Sequence, residues 1–146
     1  MTIKEGLSWA REQLQKACER PAFEAELLLA YHLGKDRTYL LTHDLDSFAD
    51  IDDFKKLIQR RAAHEPYEYI VGSASFYDIH LEVEKGVLIP RPETEILIDL
   101  VAEIIEKENI TRIAEIGIGS GAISIVLARK FPQLHIIATE IGRAHV

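Results

Sequence analysis

Three glycines fall within five positions in Gly117-Ile118-Gly119-Ser120-Gly121, directly behind the segment Ala114-Glu115-Ile116 and ahead of the apolar run from Ala122 to Leu127. Glycine takes positive φ freely and carries no Cβ, so such a turn brings backbone N–H groups close to a ligand. Where the turn opens a helix, the free amides and the positive end of the helix dipole favour an anionic ligand group. Glu140 closes the next apolar run, where a carboxylate is placed to accept hydrogen bonds from sugar hydroxyls. The stretch Ile89-Pro90-Arg91-Pro92-Glu93-Thr94-Glu95 holds an arginine between two prolines just ahead of a helical pattern. Arg91 reads either as a charged anchor or as a surface arginine. Glu93 and Glu95 suit a helix start by charge alone, the preferred reading for Glu95, and Thr94 suits a cap. For the glycine turn, the plain alternative is a tight strand–helix connection without a ligand.

Other chemistries find no support. The six histidines (His32, His43, His64, His80, His135 and His145) show no paired-ligand spacing, so no metal site is expected. Cys18 is the only cysteine, which excludes an internal disulfide and a thiolate zinc cluster and leaves a plain, partly buried thiol. Acidic residues outnumber Lys and Arg 24 to 17, a net charge of −7, which argues against a broad nucleic-acid footprint. No apolar run reaches the roughly 18–20 residues of a membrane span, and the first residues lack a secretory h-region. The expectation is a soluble cytoplasmic protein, monomeric and without a membrane.

The elements that must position these residues divide the chain. Residues 1–65 read as a helical bundle. Thr2 and Glu5 form a capping-box pattern, and Ile3, Leu7, Ala10, Leu14 and Ala17 follow at helical spacing. Pro21 starts a second helix that Gly34 ends, with a short segment at Thr38–Leu41 after it. Phe48, Ile51, Phe54, Leu57 and Ile58 share one face of a further helix, and Pro66 stops it. Trp9, Phe23, Phe48 and Phe54 are read as core. Arg60 and Arg61 suit either a helix C-terminus or contact with a negatively charged partner. Residues 66–89 lose the helical period, and Phe76, Ile79, Leu81, Val83, Val87 and Leu88 between Gly72 and Gly86 suit a hairpin linker. From 90 to 140 a helix with Ile96, Leu97, Leu100, Val101, Ile104 and Ile105 on its face precedes strand Arg112–Ile116, the glycine turn, helix Ala122–Lys130 and strand Leu134–Thr139. Strand, glycine turn, helix, strand is the opening of a doubly wound α/β sheet. The fold class is therefore α/β, with an all-α bundle, a β-hairpin linker and an incomplete Rossmann-like domain, because two core strands cannot cover both faces of a parallel sheet.

The turn satisfies two ligand templates. Gly117, Gly119 and Ala122 fit the dinucleotide fingerprint G-x-G-x-x-G/A. Glu115, Gly117, Gly119 and Gly121 fit E/D-x-G-x-G-x-G, the first motif of S-adenosylmethionine-dependent methyltransferases. Glu140 serves both. With Pro66-Tyr67-Glu68-Tyr69-Ile70-Val71-Gly72 and Phe76 upstream, the Pro90–Glu95 string and the glycine turn together make residues 1 to about 140 resemble the release-factor glutamine N5-methyltransferases, the PrmC/HemK family. A related branch acting on a ribosomal-protein glutamine is similar but usually departs from the Pro-Arg-Pro-Glu-Thr-Glu string, which is intact here.

That resemblance implies methyl transfer from S-adenosylmethionine to the glutamine amide of a Gly-Gly-Gln tripeptide in peptide-chain release factors. It implies that Glu115, Gly117, Ile118, Gly119, Ser120 and Gly121 line the methionine part of the cofactor and that Glu140 holds its ribose. Arg91, Pro92, Glu93 and Thr94 would border the substrate cleft. The family's amide-holding Asn-Pro-Pro-Tyr does not occur in this sequence, so no catalytic residue is assigned and the chain as it stands is expected to be inactive. Glu140–Val146 departs from the family pattern and corresponds to GAG ATC GGA AGA GCA CAC GTC, a common sequencing-adapter string. Residues 141–146 are therefore expected to be a non-native tail. Two rivals remain: a nicotinamide-dependent oxidoreductase, and a stand-alone helical binding module.

Overall fold

A computed structural model describes residues 1–142 of the chain. Its contacts separate two compact units, Met1–Val71 and Gly72–Val146. Arg143–Val146, most of the expected non-native tail, lie outside the described residues.

The first unit is helical: α1 (Ile3–Leu14), α2 (Pro21–Leu33), α3 (Arg37–Thr42), α4 (Ile51–Ala62) and α5 (Tyr67–Val71). The capping box forms as expected: Glu5 N–H donates to Thr2 Oγ1 at 3.2 Å and Thr2 N–H donates to Glu5 Oε2 at 2.8 Å. Pro21 occupies the first turn of α2, where its missing N–H costs nothing, and Gly34 ends the helix at φ +62°. Ile3, Leu14, Leu28, Leu29, Phe54 and Ile58 pack in the core of this unit.

Two expectations change here, those for Tyr67–Val71 and Phe23, while Arg60 and Arg61 lie in the last turn of α4 as a helix C-terminus favours. Tyr67–Val71, read as part of the hairpin linker, is helix α5, because Pro66 opens a helical turn whose carbonyl accepts from Tyr69 and Ile70 N–H. Ile70 is buried with the helical core. Phe23 is not core: the Arg20 and Arg37 guanidinium carbons lie 4.2 and 4.6 Å from its ring centroid. Arg60 and Arg61 already have intramolecular partners, Glu65 and Glu24 respectively. Cys18 is half-buried and donates to Leu14 O at 3.6 Å; burial pushes its thiol pKa up, with the negative Glu24 adding to the effect. The thiolate is thus disfavoured.

The second unit contains the hairpin β1 (Ser73–Phe76) and β2 (Ile79–Glu82), then α6 (Thr94–Glu108), β3 (Arg112–Ile116), α7 (Ala122–Lys130) and β4 (His135–Thr139). β1 and β2 pair antiparallel from Ser73↔Glu82 to Phe76↔Ile79. β3 and β4 pair parallel from Arg112↔His135 to Ile116↔Thr139, with α7 as the crossover that parallel strands require. The unit is thus mixed helix and sheet, as the fold class anticipated. Val87 and Leu88, read as strand residues, follow β2 as a turn in which Val87 N–H donates to Glu84 O and Gly86 takes φ +98°.

Phe76, Leu81, Ile98, Ile105, Val126 and Leu127 form the second core. The face expected for α6 is therefore only partly right. Ile98 and Ile105 are its buried residues, with Val101 beside them, while Ile96, Leu97, Leu100 and Ile104 are exposed. The helix is apolar on more than one side, and a single 3.6-residue stripe does not say which side the rest of the unit covers. No helix among the described residues is long and apolar enough to cross a membrane.

Candidate functional site

The site residues converge because β3 and β4 are parallel neighbours. Both strands end at the same edge, so the turn after Ile116 and the acid after Thr139 meet. Thr139 O accepts from Gly117 N–H at 2.8 Å and from Ile118 N–H at 3.0 Å, which ties the start of the turn to the second strand. Gly121 N–H donates back to Ile118 O at 2.9 Å, and Gly121 O then accepts from Ile125 N–H as α7 begins.

All three glycines are left-handed, at φ +76° (Gly117), +56° (Gly119) and +83° (Gly121). A Cβ added at Gly117 or Gly119 would meet nothing within 4 Å, so the turn borders open space that a ligand can enter. At Gly121 a Cβ would lie 3.1 Å from Ile125 Cδ1, so that glycine also serves close packing at the helix start.

Glu140 lies against the turn. Its Oε2 accepts from Gly119 N–H at 2.9 Å and its Oε1 from Ile141 N–H at 2.8 Å. The Gly119 bond, followed by that from Ile141, holds the Glu140 carboxyl below its ordinary pKa although the group is exposed. The expected role of Glu140, holding ribose hydroxyls, is not displayed, because both oxygens face backbone donors. The carboxylate instead stands where a ligand carboxylate would meet Gly119 N–H. A carboxylate-bearing ligand end therefore fits the turn, given that Glu140 gives up that bond.

Glu115 is half-buried near the end of β3, and its Oε2 accepts from Ser124 Oγ, on the first turn of α7. Ser124, 9% exposed, was not singled out from the sequence. Its signal was present, a lone hydroxyl in the otherwise aliphatic run Ala122–Leu127. Ile118 and Ser120 are half-buried within the turn. The site can thus offer amides to an anionic group and a carboxylate to a cationic one, a pairing suited to the amino-acid end of a ligand.

The Pro90–Glu95 stretch leads into α6. Thr94 N–H donates to Arg91 O, Glu95 N–H to Pro92 O and Ile96 N–H to Glu93 O, all at 3.0–3.2 Å. Arg91, Pro92 and Glu93 are exposed and Thr94 is half-buried. Among the described residues no hydrogen bond or ion pair joins these four to the glycine turn. The N-cap is Glu93, without a side-chain cap bond, so Thr94 does not cap the helix. Glu95 does more than complement the dipole. Its Oε1 accepts from Tyr77 N–H at 2.7 Å, while Tyr77 Oη donates to Asp99 Oδ1 at 2.6 Å. Lys130 Nζ lies 4.7 Å from the centroid of the Tyr77 ring. The hairpin tip is thereby fastened to α6 and α7. Tyr77 is at φ +53°, a conformation a sequence pattern does not announce for tyrosine.

Comparison with known proteins follows the same residues. Residues 5–72 match the family model of the PrmC N-terminal domain. The release factor glutamine methyltransferase of Dictyoglomus turgidum is 44% identical over 141 residues, covering 96% of this chain and 50% of the relative. Its counterpart in Koribacter versatilis is 39% identical over 145 residues, covering 97% and 52%. A bifunctional methyltransferase of Rickettsia prowazekii is 37% identical over 162 residues, covering 97% and 31%. The resemblance to release factor glutamine methyltransferases therefore runs along nearly the whole chain. The chain spans about half the length of those relatives.

Proposed function

We propose that this chain is the N-terminal part of an S-adenosylmethionine-dependent methyltransferase that modifies the glutamine of a Gly-Gly-Gln tripeptide in peptide-chain release factors. The observation that carries this function is the open, left-handed glycine turn set between two acids, in a chain 96% of which aligns with half the length of a protein named release factor glutamine methyltransferase. Glu115, Gly117, Ile118, Gly119, Ser120 and Gly121 hold the amino-acid end of the donor. Glu140 would hold the donor's ribose. Arg91, Pro92, Glu93 and Thr94 border the substrate cleft, and the helical residues 1–65 recognise the release factor. The intact Pro-Arg-Pro-Glu-Thr-Glu string favours release factors over the ribosomal-protein branch.

When bound, the donor supplies an electrophilic methyl group on a sulfonium. A glutamine amide nitrogen is a weak nucleophile because its lone pair is delocalised, so the protein contributes mainly by aligning it with that methyl. This chain's residues orient the donor; an amide-holding Asn-Pro-Pro-Tyr is not in its sequence. The 146 residues alone are therefore inactive, and the full-length enzyme acts in the cytoplasm as a monomer.

The test incubates the full-length gene product with methyl-labelled donor and a release factor. Label on the Gly-Gly-Gln factor, none on its Gly-Gly-Ala variant and none from the 146-residue chain are expected. Label on a ribosomal protein instead moves the enzyme to the other branch. Gly117, Gly119 and Ala122 also fit a dinucleotide fingerprint. Calorimetry that finds NAD binding without S-adenosylmethionine binding overturns the assignment.

A further inference from the structure

Ser124 is buried on α7, as are Ala122, Val126 and Leu127, but only those three belong to the second core. A buried hydroxyl on the first turn of a helix forgoes apolar packing and must find a partner to offset its desolvation. Here the partner is the Glu115 carboxylate. Glu115 Oε1 accepts no hydrogen bond among the described residues and is the atom left for a ligand. Across the turn, Gly119 N–H holds a carboxylate oxygen, that of Glu140. Opposite charges are thus presented to the two ends of an α-amino-acid group.

We propose that Ser124 is a positioning residue: by donating to Oε2 it fixes the Glu115 side chain so that Oε1 takes the ammonium group of the bound donor. This rests on the donor assignment of the glycine turn given above. A glutamate left free to rotate must be ordered when the ligand arrives, and that ordering weakens binding; the Ser124 bond orders it beforehand. The effect is confined to ligands that carry the ammonium.

Calorimetry on the full-length protein compares S-adenosylhomocysteine, which has the amino-acid end, with 5′-methylthioadenosine, which lacks it. Ser124→Ala is expected to weaken the first about tenfold, the scale of one hydrogen bond to a charged group. Binding of 5′-methylthioadenosine stays unchanged. Ser124→Thr, which keeps the hydroxyl, binds both as the wild type does. Because Ser124 acts through Glu115, adding Ser124→Ala to Glu115→Gln weakens S-adenosylhomocysteine no further than Glu115→Gln alone. Circular dichroism melts check that the variants fold, and Ser124→Cys carries the same comparison if the alanine variant does not. Equal weakening of both ligands, an unchanged affinity for S-adenosylhomocysteine, or additive losses in the double variant overturn the proposal. A wild type that binds neither ligand instead overturns the donor assignment, and the role of Ser124 falls with it.

Discussion

Gly6→Ala sets two well-known effects against each other. Gly6 lies on the buried side of α1, and alanine in a helix interior is worth about 0.5–1 kcal/mol over glycine. A Cβ there, however, stands 2.9 Å from Phe48 Cε1, 3.0 Å from Phe48 Cζ and 3.6 Å from Met1 Sδ. The ring has little room to retreat. Phe48 is 9% exposed and meets Phe54 edge-on at 5.6 Å and His32 at 5.9 Å. Its backbone is held as well, by the N–H bond to Met1 O beside the Thr2–Ser47 bridge. Forcing one methyl into a packed core costs about 1–3 kcal/mol, so packing outweighs propensity and the net loss is about 1 kcal/mol. In a unit of this size that lowers the melting temperature by roughly 4–8 °C. Urea unfolding followed by Trp9 fluorescence reads it cleanly, because Trp9 is the only tryptophan and lies 6.2 Å from Phe54 in the same core. Phe48→Leu should relieve the clash, so the double variant loses less than the two single losses together. A Gly6→Ala midpoint above that of the wild type refutes this reasoning.

Three further outcomes are expected. Glu24→Ala leaves the Arg61 guanidinium, whose side chain is only 15% exposed, without its carboxylate and destabilises the helical unit by about 2 kcal/mol in urea unfolding, whereas Lys56→Ala at the exposed Asp53 pair leaves the midpoint unmoved. Tyr77→Phe removes the bond to Asp99 and costs about 1 kcal/mol, seen as faster hydrogen exchange across the β1–β2 hairpin, while the Trp9 transition stays put. Glu140 has a depressed pKa, so its contact with Gly119 persists above the ordinary carboxylate range and is lost as pH falls through its lowered value; the Gly119 amide resonance and the Glu140 side-chain carbon should titrate together, below an unperturbed glutamate.

Legibility in the sequence followed the range of the interactions. Thr2 and Glu5, Pro21 and Gly34, and the strand–turn–helix–strand run from Arg112 to Thr139 are specified by neighbours a few positions apart, and the structure places them as expected. Pro66 misled because a proline can begin a helix as readily as it ends one: α4 already stops at Ala62, with His64 left-handed behind it, and α5 follows the proline from Tyr67. The face of α6 misled because residues on more than one of its sides are apolar. Arg61–Glu24 and Tyr77–Asp99 join residues 37 and 22 positions apart, for which no local pattern exists. At the candidate site, the glycines and flanking acids were legible as a motif, while the Ser124 bond to Glu115 and the Glu140 bond to Gly119 depend on how α7 and β4 return to the turn.

The same division holds within the second unit. The glycine turn is fixed by bonds within one strand–helix–strand unit, Thr139 O to Gly117 and Ile118, Ile118 O to Gly121, Ser124 to Glu115. All of these lie within the described residues, so the conformation of the turn is set locally. The surface around it is apolar and open. Ile116 is 91% exposed, Ile137 is half exposed, and Ile96, Leu97, Leu100 and Ile104 lie open along α6. Exposed apolar side chains in this number favour association, so the isolated second unit should aggregate and melt without cooperativity, although its glycine turn is already formed. Local bonds therefore shape the turn independently of the exposed apolar side chains around it, so its conformation and the unit's tendency to associate are separate properties.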